Sequence, residues 1–274
     1  MSRWEITSPQ RSTLEGEVGE LEVWLASGKL RVIGTDGPAR IEVTKVGSKG
    51  IEVVHDGGRL SVRHPIATSR WRNLGPFWWF LSGRRRYLAD ITIAVPVTSH
   101  ADLTLISGSV VTSGLRQGAI VSVTSGSITL MGLAGDVRAK TISGSIQAMG
   151  VSGELTLETV SGEISLAESS AERVRARTIS GAVTCDLDNP FAREVRLDTT
   201  SGEITIRVPE DADLDVSLNA TSGRVTSAFP QVRGSSMPGA HNASGRIGTG
   251  SGRLHAYAIS GAVSLLARPA VEAE

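Results

Sequence analysis

The chain has 274 residues, 40% of them hydrophobic, enough for one long domain or for one domain plus a cap. Its 28 Lys and Arg balance 28 Asp and Glu, so bulk charge selects no partner and any electrostatic preference must come from a local patch. A single cysteine excludes an internal disulfide framework, and no apolar run is long enough to span a bilayer as a helix.

Residues 1–20 read as a lead-in, with Trp4 and Ile6 covering an end of the core. Met1-Ser2-Arg3-Trp4-Glu5 opens no apolar run, so the reading expects no signal peptide and a cytoplasmic location. Leu21 to Ile33 alternates: Leu21, Val23 and Leu25, then Ser27-Gly28, then Leu30 and Val32. Ile41-Glu42-Val43, Ile51-Glu52-Val53-Val54 and Leu60-Ser61-Val62 follow as strands, with Asp56-Gly57-Gly58 as a hairpin turn between the last two. This stretch predicts an antiparallel hairpin cap, since an open end would expose unpaired strand edges.

Residues 66–89 interrupt the pattern with Trp71, Phe77, Trp78, Trp79 and Phe80, then Arg84, Arg85, Arg86 and Tyr87. Ile91 to Val95 resumes the alternation, and from residue 101 a single phrase recurs. Thr141-Ile142-Ser143-Gly144-Ser145-Ile146 is one copy; further copies centre on Ser107, Ser125, Ser161, Ser180, Ser201, Ser222 and Ser260. From Ser107 to Ser222 the steps are 18, 18, 18, 19, 21 and 21 residues, a solenoid period. Inward residues stand two, four and six places before each Ser and three and five after it, so the Ser-Gly shifts the strand phase by one, as a corner does.

The expected fold is all-β: a parallel β-solenoid (β-helix) of about 18–21 residues per rung with an N-terminal antiparallel hairpin cap. Rungs of 19 and 21 residues favour a two-faced coil over the left-handed hexapeptide type. The expected division is 1–100 for first rung and cap, with the insertion 66–89, and 101–267 for the repeats, broken by a Gly/Ser-rich interruption near 227–250. In that interruption Ser244-Gly245 and Ser251-Gly252 mark a displaced partial turn, and residues 268–274 form a tail.

These rungs, the Trp/Arg interruption and the closing Ile259-Ser260-Gly261-Ala262-Val263-Ser264-Leu265-Leu266 resemble a bacterial β-strand-repeat family of unknown function, often labelled as adhesins, in its actinobacterial form. The resemblance spans nearly the whole chain. It implies architecture and carries no catalytic residues over, while the adhesin label implies a surface location.

The corner serines lack a nucleophile's setting: there is no G-x-S-x-G elbow, and the five His share no spacing with them. Hydrogen bonding to local backbone accounts for them better. Cys185 falls on an inward position. Asp211, Asp213 and Asp215 lack the Gly and terminal Glu of a calcium loop and read as a solvated turn. Glu163 and Glu203 lie two rungs apart with Ala182 between, at the long end of an inverting-hydrolase separation and without an aromatic sugar platform.

Two outward rows remain. Thr129, Gln147, Ser165, Thr184, Thr205, Thr226 and Ser264 form a neutral hydroxyl row suited to a solvated sheet or a flat glycan-binding face. Arg138, Lys140, Arg175, Arg177 and Arg196 form a modestly basic face, tempered by Glu158 and Asp198. Few aromatics interleave with these cations, so nucleic acid is not the expected partner. The leading functional reading is a non-enzymatic interaction or scaffold protein with no cofactor and no metal. It binds a protein partner, a second copy or an anionic membrane surface through Trp71, Phe77, Trp78, Trp79, Phe80, Arg84, Arg85 and Arg86. An adhesin-like glycan-binding surface protein and a solenoid carbohydrase stay open beside it.

Overall fold

The computed structural model describes residues 2–65, 86–188, 192–237 and 240–268; among them every regular element is a β-strand, and no helix is long and apolar enough to cross a membrane. Two compact units divide the chain, Met1–Thr129 and Leu130–Glu274.

In the first unit the strand Glu20–Thr35 is flanked on both sides by parallel partners. His100–Ser113 runs along one side, with Ser27 opposite Ser107 and Gly28 opposite Gly108. Ala119–Ser125 follows it, with Ser107 opposite Ser125. Two shorter strands share the other side: Arg59–Arg63 pairs with Glu20 to Trp24, and Leu88–Pro96 pairs with Ser27 to Thr35. The expected antiparallel strands lie beyond. Ile51–Asp56 pairs with Arg59–Arg63 across the Asp56-Gly57-Gly58 turn, where both glycines take positive φ, and Ser2–Ile6 pairs with Ile51–Asp56. Arg40–Val46 pairs with Leu88–Pro96, and Gln10–Thr13 with Arg40–Val46. Ile6 is buried, and Trp4 stands opposite Val53.

In the second unit strands stack in parallel at the repeat spacing. Ile146 pairs with Ile164, Ile164 with Val183, Val183 with Ile204 and Ile204 with Val263, all buried, so residues distant in sequence form one internal column. Each such burial contributes about 1.5–3 kcal/mol. The longer steps are absorbed away from the Ser-Gly corner. The 19-residue step from Ser161 to Ser180 is taken up by a β-bulge at Gly153/Glu154, which skips Glu172 in the pairing.

The order of rungs departs from the order of the chain. The sequence runs Ser201, Ser222, Ser260, whereas in space Gly252–Ser260 lies between Glu194–Ser201 and Leu214–Ser222. The interruption makes this insertion feasible. Leu214–Ser222 turns its other side to Ala240–Ile247, which runs antiparallel and pairs in turn with Arg233–Met237, and the chain then returns to fill the gap. Ser244-Gly245 is therefore not a turn; it lies within an antiparallel strand, with Gly245 opposite Val216.

Glycine at the corner is a steric necessity. A Cβ on Gly181 would lie inside the carbonyl group of Gly162, and one on Gly202 inside that of Gly181, while φ at both is positive. The threonine two places before each Ser completes the corner. The buried Thr159, Thr178 and Thr199 hydroxyls donate to the carbonyls of Gly144, Gly162 and Gly181 at 3.2, 3.3 and 3.3 Å. The hydroxyls that bond backbone here belong to these threonines, whereas Ser143, Ser161 and Ser201 are exposed.

Candidate functional site

The Trp/Arg segment interrupts one rung at its corner. Arg63 stands opposite Trp24 and Leu88 opposite Ser27, so the chain leaves and rejoins the sheet three residues apart along Glu20–Thr35, roughly 10 Å at strand spacing. Side chains seal both ends of the gap. At the exit, His64 N–H donates to the Trp24 carbonyl at 3.1 Å, and the Ala26 N–H donates to His64 Nδ1 at 3.1 Å. That bond leaves the proton on Nε2, which is buried without a hydrogen-bond partner among the described residues; the Tyr87 ring stands edge-to-face at 5.9 Å. Burial lowers the His64 pKa to about 4. At the return, the Lys29 N–H donates to Asp90 Oδ1 at 3.0 Å.

Arg86 is exposed, and its carbonyl accepts from the Lys49 N–H at 3.1 Å. Trp71, Phe77, Trp78, Trp79, Phe80, Arg84 and Arg85 lie outside the described residues. Beside Pro65 is a shallow cavity of about 380 Å³, lined by Arg3, Trp4, Glu5, Glu52 and Pro65.

The modestly basic face is on the second unit, and most of its charge is locally matched. Arg138 pairs with Asp136 at 2.8 Å, Lys140 with Glu158 at 3.4 Å, Arg175 with Glu194 at 3.7 Å and Arg196 with Asp198 at 2.9 Å. Arg177 stands in register between Glu158 and Asp198. Lys140–Glu158 and Arg175–Glu194 join neighbouring rungs, which the repeat sets side by side, whereas Arg138–Asp136 and Arg196–Asp198 lie along single strands.

The hydroxyl row is continuous across six strands of the second unit: Gln147, Ser165, Thr184, Thr205, Ser264 and Thr226, in that spatial order. Thr226 donates to Ser264 at 3.1 Å. Thr129 belongs to the first unit. Glu163 and Glu203 flank Ala182 two strands apart, as their spacing implies.

Three features escaped the sequence reading. Asp213 is a latch rather than a solvated turn residue: its carboxylate accepts from Ser251 Oγ, Thr249 Oγ1 and the N–H groups of Gly250 and Ser251. Hydrogen bonds from Ser251 and Thr249 lead in lowering its pKa to about 2. Asp186 is buried; burial alone would raise its carboxyl, but hydrogen bonds from Arg207 and Arg268 outweigh that and hold it below the ordinary range. Arg268 also pairs with Asp188. Next to Asp186, burial pushes the Cys185 thiol up to about 12, which makes it unreactive. The third feature is a row of exposed aliphatic residues, Ile142, Val160 and Ile179, one place before the corner serines. The middle letter of the T-x-S-G phrase already showed it.

Solved structures match the chain at low identity. A candidate adhesin from Bacteroides fragilis is 13% identical, with 94% of this chain and 96% of that chain covered and a TM-score of 0.49. A candidate cell adhesion protein from Clostridium sporogenes is 11% identical over 95% of this chain and 100% of that one, with a TM-score of 0.28. A candidate adhesin from Parabacteroides distasonis is 8% identical over 94% and 96%, with a TM-score of 0.32. No curated protein matches the chain. The family model described as Toastrack DUF4097 matches residues 18–266, in agreement with the resemblance carried by the Ser-Gly rungs, and the chain belongs to that family.

Proposed function

We propose that this chain is a non-enzymatic interaction protein, a β-solenoid scaffold that presents residues 66–85 to a protein partner or to an anionic membrane surface. The observation that supports this reading is the sealed corner. One rung of the first unit is opened between Arg63 and Leu88, its strands stay in register on either side, and His64 accepts from the Ala26 N–H that faces the gap while Asp90 accepts from the Lys29 N–H just beyond it. The segment carrying Trp71, Phe77, Trp78, Trp79, Phe80, Arg84 and Arg85 thus joins two strands that each pair with Glu20–Thr35. Aromatic rings suit the headgroup level of a membrane, and arginine suits anionic lipid or an acidic partner.

The test is co-sedimentation with vesicles containing phosphatidylserine, alongside affinity capture from the native lysate. Wild type is expected in the pellet or with a specific partner, and a variant with Trp78, Trp79 and Phe80 replaced by Ser is expected in neither. Equal binding by wild type and variant contradicts the proposal.

A second reading, an adhesin-like glycan-binding protein at the cell surface, draws on the hydroxyl row, whose six members lie in register on one face. It predicts glycan-array binding that is lost on Thr184→Val with Thr205→Val. A blank array for wild type removes it.

A further inference from the structure

We propose that the corner ridge of the second unit pairs two copies of this chain about a two-fold axis. This goes beyond the function proposed above and uses a different surface. The residue before each corner serine points outward, and the register sets Ile142 beside Val160, Val160 beside Ile179 and Ile179 beside Thr200. Ile142, Val160 and Ile179 are 52%, 41% and 49% exposed. Spaced about 4.8 Å apart, they form one continuous apolar ridge, which calls for an occupant in a way that isolated surface aliphatics do not.

The charges beside the ridge identify that occupant. Two residues before the ridge, on the same face, stand Lys140, Glu158, Arg177 and Asp198 on successive strands, alternating in sign. A two-fold axis along the strand direction, between the Ser161 and Ser180 rungs, reverses the order of rungs in the copy. Val160 then meets the partner's Ile179 at the centre of the ridge. In the adjoining row Lys140 meets the partner's Asp198 and Glu158 meets the partner's Arg177, and symmetry supplies the reciprocal contacts. All four positions are complementary, whereas a copy laid in the same order would set each charge against its like.

Within one chain this row is only loosely engaged. Lys140 is 3.4 Å from Glu158, Asp198 holds Arg196 at 2.9 Å, and Arg177 makes no ion pair among the described residues. Exposed pairs of this kind exchange easily. The ridge supplies the apolar contact, and the row sets orientation and partner.

Sedimentation velocity of the full chain over a concentration series tests the proposal. Wild type is expected to show a reversible monomer–dimer equilibrium. Arg177→Glu opposes carboxylates across the axis, and Glu158→Arg opposes guanidinium groups; each is expected to weaken self-association roughly ten-fold or more. Ile179→Lys abolishes association while the circular dichroism spectrum stays native. An equimolar mixture of Arg177→Glu and Glu158→Arg restores association, because every opposed pair is then again of opposite sign. A charge lost within one chain could not be repaired by mixing, so the mixture separates a docking role from a structural one. A wild type that stays monomeric at every concentration, single variants that associate as wild type does, or a mixture no tighter than its components overturns the proposal.

Discussion

The Thr178 hydroxyl donates to the Gly162 carbonyl of the preceding rung at 3.3 Å, and a Cβ on Gly181 would collide with that same carbonyl. One carbonyl oxygen therefore explains two letters of the repeated phrase, the threonine and the glycine.

Two substitutions separate these roles. Thr178→Val keeps the volume and loses the hydrogen bond, at a cost of about 1 kcal/mol. Gly181→Ala forces the rungs apart and costs at least about 2 kcal/mol. Gly57→Ala is the control: its φ is also positive, but nothing lies within 4 Å of an added Cβ, so only a backbone penalty of about 1 kcal/mol is expected. Urea denaturation of the three variants should rank Gly181→Ala as the least stable.

How much of this could be read from the sequence differs from residue to residue. The Ile146–Ile164–Val183 column was legible because period-two alternation and the 18- and 19-residue steps together determine which side chains face inward and which become neighbours. The position of the Ser260 rung was not. Every rung offers the same inward pattern to its neighbours, so Ser201 is as well matched by Ser222 as by Ser260, and the antiparallel pair after Ser222 decides between them. The Asp213 latch was hidden for a related reason: Thr249 and Ser251 reach it only once the last rung has been inserted. The hairpin of Ile51–Asp56 and Arg59–Arg63 was legible from Asp56-Gly57-Gly58, yet nothing local showed that the sheet is interrupted at a corner after Arg63, because the pairing of Arg63 with Trp24 spans 39 positions.

His64 makes the first unit acid-sensitive. Its pKa is about 4 in the fold against an ordinary 6.5, so the unfolded chain binds a proton that the folded chain refuses. The resulting stability is complete above pH 6.5 and is lost as pH falls from there to about 4, a change on the order of 3 kcal/mol. His64→Leu removes this dependence, and at neutral pH it costs about 1–3 kcal/mol because the Ala26 N–H loses its acceptor. Thermal unfolding across this pH range, for both proteins, reads the difference directly.

Asp213 acts in a lower window. Its folded pKa of about 2 lies below the ordinary 3.8, so its contribution is full above pH 3.8 and disappears as pH falls towards 2. In Asp213→Asn the attachment of residues 249–251 is weaker than in wild type above pH 3.8 and no longer titrates between 3.8 and 2. Hydrogen exchange of the Gly250 and Ser251 amides should be faster in the variant at pH 5 and should converge with wild type at pH 2.

The central claim is that the sheet is a self-sufficient support and that binding resides in the segment it carries. The most direct measurement replaces residues 66–85 with Ser-Gly, a short link from Pro65 to Arg86, and follows thermal unfolding together with vesicle co-sedimentation and partner capture. The account predicts a folded protein that melts within a few degrees of wild type and binds neither vesicle nor partner. A shortened chain that still binds, or one that no longer folds, would contradict it.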